Sequence, residues 1–329
     1  MEQEIKKLFY ELGIPVFLKK IQESPSYITY HFNVASIKSL EQTEKKTKLI
    51  SKFLGKQMLY KDSDFAHFAL SVPKEENKGV NLADKKYEHL FNKNKIFAGV
   101  DENNNPVTID LEQIPHILIA GTTGSGKSVM MNAVICSLLK GKNKTHSFTM
   151  IDTKRVELSP YKNLGNHFCR ISTEPSSAIE TLEDICSTMD ARYMIMEANG
   201  WKCVPDSYPR EIVVIEELGD LMSISKGVVE QYIVKIARLG RACGIHLIIA
   251  TQRPTTDVVT GEIKANIGCR FALQTTSSID SRNILGHNGA EKLRGSGDCL
   301  LKLPNKAEEI HIQCPFISDD NILKIIQEF

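Results

Sequence analysis

The sequence contains no long apolar run. Its longest apolar segments, such as HILIAG and GIHLIIAT, have the length of buried strands. A helix that crosses a bilayer needs roughly 20 apolar residues. The first residues, MEQEIKKLFYELG, also lack the apolar region of a signal peptide. We therefore expect a soluble, cytoplasmic protein without direct membrane insertion. Any membrane role of this protein would need a partner.

The sequence also lacks paired cysteines and a dominant charge. Eight cysteines are scattered without any C-x-x-C, which indicates reduced thiols rather than a disulfide framework or a zinc site. The net charge is +1, so a nucleic-acid partner would have to be attracted by a local basic patch.

The composition changes near residue 95. The length of 329 residues suggests two domains or one large domain. Residues 1–95 are rich in Lys, Glu and Asn and are interpreted as a small α/β domain. Its predicted elements are strands over 26–34 and 67–73 and an amphipathic helix over 39–55, which starts near Ser39 or Thr43 and stops at Gly55. The polar stretch EHLFNKNK (88–95) marks the boundary.

Residues 96–329 alternate apolar strands with helices. A long helix is predicted between a Thr173 cap and Gly200, and His116 and His246, which fall within apolar strands, are interpreted as core histidines. The other predicted strands cover 114–121, 146–152, 211–217 and 245–252, and the other helices cover 128–140 and 228–243. This alternation predicts an α/β fold with a mainly parallel sheet covered by helices on both faces.

A glycine-rich loop carries the strongest functional signal. GTTGSGKS (121–128) fits G-x-x-x-x-G-K-[ST] and lies between a predicted strand and a predicted helix. Inward-pointing N–H groups and the helix N-terminus favour phosphate there, with Lys127 at the β/γ-phosphates and Ser128 supplying an oxygen to Mg²⁺. The predicted nucleotide-binding residues are Gly121, Thr122, Thr123, Gly124, Ser125, Gly126, Lys127, Ser128 and Val129. No N-K-x-D guanine-reading sequence is present, which favours ATP.

EIVVIEELGD (211–220) is a predicted strand that ends in two adjacent acids, Glu216 and Glu217. Buried charge is costly unless it is paired. Beside a phosphate loop, one acid can hold the metal and the other can polarise the attacking water. We assign Glu216 to the metal and Glu217 to the water. The alternative is a strand that runs into an acidic surface loop.

Several segments resemble the motor domain of the FtsK/SpoIIIE family of DNA translocases. The resemblance is carried by ATQRPTTDVVTGEIKANIGCRFALQTTSSIDSRNILGHNGAEKLRGSGDCLL (250–301), GRACGIH (240–246), PHILIAGTTGSGKS (115–128), MIDTKRVELSPY (150–161) and ARYMIMEANG (191–200). The first domain is similar, less specifically, to the family's α subdomain. The resemblance implies a RecA-like ATPase that forms a homo-hexameric ring around double-stranded DNA and moves it with ATP and Mg²⁺.

The resemblance also implies roles for individual residues. Lys127 and Ser128 correspond to the Walker A pair, Glu217 to the catalytic glutamate, and Gln252 to a polar sensor near the γ-phosphate. The family usually has Asp-Glu where this chain has Glu216–Glu217. The additional methylene could displace the metal-side oxygen, which would slow turnover or change metal preference.

An arginine of the neighbouring subunit is implied to complete the site in trans, where it would stabilise transition-state charge. Arg282 in SSIDSRNIL is the first choice and Arg270 the second. For both, an intrasubunit salt bridge or a DNA contact is the alternative.

DNA contacts of a translocating motor should be mainly to phosphates. The candidates are Lys154, Arg155, Lys226 and Lys264, and a solvated surface position is the alternative for each. The family's membrane region and C-terminal winged-helix module are not recognisable in this sequence. We therefore expect neither sequence-directed polarity nor a built-in septal anchor.

Three functions remain from the sequence. The first is an ATP-driven DNA translocase that serves the transfer, replication or segregation of a mobile element, with a relaxase, replication or membrane partner. The second is a DNA-binding assembly or coupling factor with weak or vestigial ATPase activity. The third, a secretion ATPase, is disfavoured by the close resemblance over 250–301.

Overall fold

The computed structural model describes residues 1–329 except 26, 57, 64–65, 75–78, 93, 142–145 and 166. The chain divides into two compact units. The first comprises Met1–Val80 with Val100–Asn105, and the second comprises Asn81–Gly99 with Pro106–Phe329. A domain boundary near residue 95 stays a prediction about which segment folds alone, because compactness by itself does not measure independent folding.

The first unit contains a four-stranded antiparallel sheet and two helices. The sheet order is β1 (Val16–Glu23), β2 (Tyr27–Val34), β4 (His67–Pro73), β3 (Leu59–Ser63). The helices are α1 (Glu2–Glu11) and α2 (Ile37–Leu54). Phe9, Phe32 and Phe68 are fully buried, and the rings of Phe9 and Phe32 each lie 5.5 Å from that of Phe68. The predicted strands are confirmed over their described residues.

The start of α2 differs from its prediction. Ser36 is the N-cap, and its hydroxyl accepts a hydrogen bond from the Ser39 backbone N–H. The helix thus begins two residues before the predicted range, with Ser39 in its first turn and Thr43 in its second. The predicted stop is confirmed, since Gly55 has φ 61° and ends the helix in a left-handed conformation that glycine adopts without strain.

The second unit is built on a ten-stranded sheet. Its order is β10 (Cys169–Ser172), β9 (His146–Ile151), β11 (Arg210–Ile215), β12 (Ile245–Thr251), β8 (His116–Ala120), β13 (Cys269–Leu273), β14 (Asp298–Lys302), β15 (Ile310–Gln313), β6 (Lys95–Asp101), β7 (Pro106–Asp110). The six strands from β10 to β13 run parallel, and β14 and β15 continue antiparallel. The predicted mainly parallel α/β fold is confirmed. Two further strands are short: β5 (Val80–Asn81) and β16 (Pro315–Phe316).

The helices of this unit are α3 (Lys127–Lys140), α4 (Pro175–Asn199), α5 (Leu218–Cys243), α6 (Gly261–Asn266), α7 (Ser278–Leu285) and α8 (Asp319–Glu328). Short 3₁₀ helices cover Lys85–Leu90, Ser159–Leu164 and Ala290–Lys292. Leu247 and Ile249 of β12 join the core beneath α4 and α5, and Ile248, which points to the opposite face, is also fully buried. Both faces of the sheet are therefore covered, as predicted.

Two helix starts differ from their predictions. Glu174, not Thr173, is the N-cap of α4, and its side chain forms no capping bond. Helix α5 begins at Leu218, ten residues before the predicted start at 228, and bends at Ser225. The predicted segment is the part beyond that bend. The first turns were missed because an acidic strand end that contains a glycine resembles a loop.

Strand register brings the functional segments to one edge. Ile215, the last residue of β11, pairs with Ile249 of β12, and Thr251, the last residue of β12, pairs with Ala120 at the end of β8. The carboxyl ends of these parallel strands therefore lie side by side, which is where open α/β sheets bind ligands.

Candidate functional site

The predicted phosphate loop leaves β8 and enters α3. Gly124 and Gly126 have φ values of 80° and 101°, which side chains rarely adopt. A Cβ on Gly121 would lie 2.6 Å from Ser125 Oγ, and one on Gly126 would lie 2.6 Å from the backbone nitrogen of Gly297. Close packing therefore requires glycine at 121 and 126, and backbone conformation favours it at 124 and 126.

The loop is held by a segment whose role the sequence did not reveal. The Gly297 N–H donates to the Ser125 carbonyl at 2.8 Å, and the Ser296 N–H donates to the Gly124 carbonyl at 3.3 Å. Gly295 and Gly297 also have positive φ values. The signal was present as RGSGD (294–298), but nothing local indicates that this turn packs against residues 172 positions earlier, as Ser296 does with Gly124.

Lys127 is buried against an acid rather than exposed. Its ammonium donates to Glu216 Oε1 at 2.9 Å and to the Glu216 backbone carbonyl at 3.1 Å. The two side chains are 3% and 1% exposed. Oxygen Oε2 of Glu216 is buried without a hydrogen-bond partner. One carboxylate oxygen thus balances the lysine, and the other is available to a cation.

Glu217 is held by its neighbours on β12. Its Oε1 accepts the Thr251 hydroxyl at 2.7 Å, and its Oε2 accepts the Gln252 N–H at 3.0 Å. As N-cap of α5 it also accepts the Gly219 N–H at 3.2 Å. The two adjacent acids therefore have different partners, and the structure contradicts an acidic surface loop, since both are buried.

Lys154 lies beside the same acids. Its ammonium is 3.8 Å from Glu216 Oε2, 3.7 Å from Glu217 Oε2 and 3.8 Å from Asp220 Oδ2. The Thr153 hydroxyl donates to Asp220 at 3.1 Å and ties this turn to α5. Lys154 thus contributes to charge balance at the phosphate edge, and the DNA contact that the sequence suggested for it stays a prediction.

Ser128 also has a carboxylate partner. Its hydroxyl donates to Glu157 Oε1 at 2.8 Å. The described residues contain no group of three His, Cys, Asp or Glu side chains able to hold a metal by themselves. Mg²⁺, however, usually takes one or two protein oxygens together with phosphates and water. Ser128 Oγ and Glu216 Oε2, which accepts no hydrogen bond, fit that requirement.

Lys127, Ser128 and Glu157 line a cavity of about 460 Å³. It is lined by the predicted loop residues except Gly121 and Ser125, and by Gln252, whose Oε1 accepts the Thr123 hydroxyl at 3.2 Å. The lining residues that the sequence did not suggest are Glu157, Ser296, Gly297, Cys314, Pro315 and Phe316. The side chain of Phe316 is half exposed and contributes an apolar surface to the cavity.

The two candidate arginines lie in different surroundings. Arg270 donates to the backbone carbonyls of Ile267 and Ile284, both at 2.9 Å, and to that of Lys264; burial lowers the pKa of its guanidinium. Arg282 is exposed, and its guanidinium donates to Asn288 Oδ1 at 3.2 Å. A residue used to hold its own backbone is poorly placed to reach a neighbour, so Arg282 remains the better candidate.

The other candidate DNA contacts are dispersed. Arg155 has φ 61° and pairs with Glu174, Lys226 is exposed just after the bend of α5, and Lys264 donates to Asn283 Oδ1 at 2.5 Å. Burial and the nearby Arg270 lower the pKa of Lys264. Arg155 and Lys226 therefore stay predictions, while the ammonium of Lys264 is engaged within its own chain.

The comparisons with known sequences agree with one another. A sequence profile of the FtsK/SpoIIIE family matches residues 81–211 and 206–256. The DNA translocase FtsK of Chlorobaculum tepidum is 42% identical over 242 residues, which are 68% of this chain and 30% of the relative. The DNA translocase SftA of Bacillus subtilis is 38% identical over 274 residues, 78% of this chain and 29% of the relative. The chain thus spans about three tenths of the length of these relatives.

Solved structures match the fold. The pCW3 conjugation coupling protein TcpA, in its monomer form with ATPγS, is 25% identical with a TM-score of 0.71, covering 99% of this chain and 98% of that chain. The cytoplasmic domain of the Thermomonospora curvata type VII secretion ATPase EccC is 19% identical with a TM-score of 0.61, covering 73% and 31%. No helix in the part of the chain that the structure describes is long and apolar enough to span a membrane.

Proposed function

This chain belongs to the FtsK/SpoIIIE family, and from that membership and the geometry of its phosphate loop we propose that it is an ATP-driven motor that translocates double-stranded DNA. The proposal is supported by strand register: the carboxyl ends of β8, β11 and β12 lie side by side, and the segments that follow them carry Lys127, Ser128, Glu216, Glu217 and Gln252. Between them these residues could contact the phosphates, the metal and the attacking water.

The nucleotide of this proposal is ATP with Mg²⁺. Lys127 would exchange its contact with Glu216 for the β/γ-phosphates, and Ser128 and Glu216 would hold Mg²⁺, which supplies neutralisation of the phosphate charge. Glu217, fixed by Thr251 and the Gln252 backbone, orients and deprotonates the attacking water. The Gln252 side chain borders the same cavity and would contact the γ-phosphate.

The working assembly in this proposal is a homo-hexameric ring around DNA in the cytoplasm. Arg282 of one subunit would complete the site of its neighbour, so that hydrolysis requires correct docking. Exposed basic groups, of which Arg155 and Lys226 are candidates, would contact phosphates without reading sequence. Electron microscopy with nucleotide and duplex tests the ring. In mixtures with wild type, Arg282→Ala should inhibit more strongly than Arg270→Ala; equal inhibition would contradict the choice of Arg282.

The process served is transfer of a mobile element. Support comes from the match to the conjugation coupling protein TcpA, which extends over nearly the whole of both chains. A relaxase, replication or membrane partner fits such a role. The same match favours the second candidate, a coupling factor with weak ATPase activity.

ATP hydrolysis measured with and without long linear duplex separates the two candidates. Strong stimulation by DNA, lost in Lys127→Ala, is expected of the motor. A flat, near-zero rate with intact ATPγS binding would contradict the motor and support the coupling factor.

A further inference from the structure

Glu157 is the one carboxylate lining the described cavity that the proposed function does not use. It lies in the MIDTKRVEL segment after β9 and is half-buried. Its Oε1 accepts the hydroxyl hydrogen of Ser128 at 2.8 Å. Glu157 therefore contacts, from inside the cavity, the oxygen assigned to the metal.

The position of Glu157 is fixed by a buried acid. Asp152 is 1% exposed, and its Oδ1 accepts the Arg155 N–H at 2.9 Å while its Oδ2 accepts the Leu158 N–H at 3.0 Å. Leu158 is fully buried. The turn is thus wrapped around Asp152 on one side of Glu157 and anchored in the core on the other.

The direction of the hydrogen bond has a chemical consequence. A serine hydroxyl has one hydrogen and two lone pairs. Because the hydrogen of Ser128 points to Glu157, the lone pairs of the same oxygen remain for a cation. Because the acceptor, the Glu157 carboxylate, is charged, this hydrogen bond also makes Ser128 Oγ a stronger metal ligand. Carboxylates affect other metal-bound side chains in the same way.

We propose that Glu157 is a positioning residue of the magnesium site, which orients the Ser128 hydroxyl and raises the affinity of the nucleotide-loaded pocket for Mg²⁺. This inference rests on the proposed nucleotide site. The opposite role would be that Glu157 blocks the access of the metal to Ser128. Removal of Glu157 would then strengthen metal binding.

The test is ATPγS binding to the full chain, measured by calorimetry in EDTA and over a Mg²⁺ series. Glu157→Ala should need on the order of tenfold more Mg²⁺ for half of the Mg²⁺-dependent gain in affinity, since loss of such partners typically costs 10–100-fold. Its affinity in EDTA should stay within about threefold of wild type, because no phosphate contact is lost. Glu157→Gln should shift the midpoint by roughly threefold, because its amide oxygen still accepts the hydroxyl hydrogen.

Glu180→Ala, an exposed change on α4, is the matched control and should behave as wild type. An unchanged or lowered Mg²⁺ midpoint in Glu157→Ala would overturn the inference. If the alanine variant does not fold, an unchanged or lowered midpoint in the isosteric Glu157→Gln would overturn it instead. Absence of ATPγS binding by the wild type in every condition would overturn the proposed function, and this inference with it.

Discussion

The ammonium of Lys127 lies 2.9 Å from Glu216 Oε1, and both side chains are almost fully buried. An unpaired charge at such depth is strongly unfavourable. The pair explains how a core strand can end in an acid before any phosphate or metal has entered the site. Lys154, 3.8 Å from the other oxygen of Glu216, adds a second, more exposed cation.

Removal of Lys127 should therefore destabilise the fold as well as the site. Lys127→Ala is expected to lower the free energy of unfolding by about 3 kcal/mol, because Glu216 loses its closest cation. The double variant Lys127→Ala/Glu216→Gln should recover at least about 1 kcal/mol relative to additivity. Urea unfolding of the four proteins measures this. As a control, Lys235→Ala, which breaks the exposed pair with Asp190, should lower the free energy of unfolding by less than about 1 kcal/mol. Strictly additive effects of the changes at Lys127 and Glu216 would refute the coupling.

Glu217→Gln should separate hydrolysis from binding. The amide oxygen can still accept the Thr251 hydroxyl, but a base for the attacking water is lost, so hydrolysis should fall by about 10²-fold or more. ATPγS affinity should change little. Steady-state hydrolysis and calorimetry are compared with the exposed control Glu262→Gln. Unchanged hydrolysis would show that the two acids were assigned wrongly.

Glu216→Asp tests the departure from the usual family residue. Aspartate keeps the charge and shortens the side chain by one methylene, so we expect DNA-stimulated hydrolysis to be preserved or raised. The rate is measured in Mg²⁺ and in Mn²⁺. Loss of hydrolysis would mean that this site requires the longer reach to Lys127.

Two core histidines should make stability depend on pH. Burial lowers the pKa of His116 to about 4 and, together with the nearby His116, that of His246 to about 3, whereas an unfolded chain has a value of about 6.5. Between pH 6.5 and 4 the unfolded chain binds protons that the folded chain does not, so stability falls as pH falls. The expected loss between pH 7 and 5 is about 2 kcal/mol for each histidine.

Thermal unfolding across this pH range is the measurement. The variant His116→Asn/His246→Asn should show a shallower slope than wild type, and the exposed control His89→Asn should not. Equal slopes in all three proteins would contradict the burial of neutral histidines.

Thiol reactivity should reflect burial. All eight cysteines are free, and Cys203 is exposed whereas the other seven are buried. Burial raises the pKa of Cys136 and Cys169 to about 12, which leaves few reactive thiolates. Ellman's reagent should titrate one thiol rapidly in the native protein and eight in denaturant. Cys203→Ser should remove the fast phase; several fast thiols would contradict the packing.

The elements that the sequence predicted well are those with strong local signals. The strands around His116 and His246 carry continuous apolar runs, and Gly55 and Gly200 end helices where a left-handed residue is needed. The starts of α2, α4 and α5 were less accurate, because several polar residues compete as caps and the choice among Ser36, Ser39 and Thr43 depends on packing.

The sequence by itself determined the phosphate loop, the adjacent acids Glu216 and Glu217, and the strand–helix alternation, because spacing and periodicity are local properties. Tertiary structure alone decided which groups meet. It paired Lys127 with Glu216, placed Lys154 beside three carboxylates, and brought Glu157 to Ser128 and Gly297 to Gly126. Those contacts join segments that are distant in sequence, and only the register of parallel strands and the packing of their connecting turns establishes them.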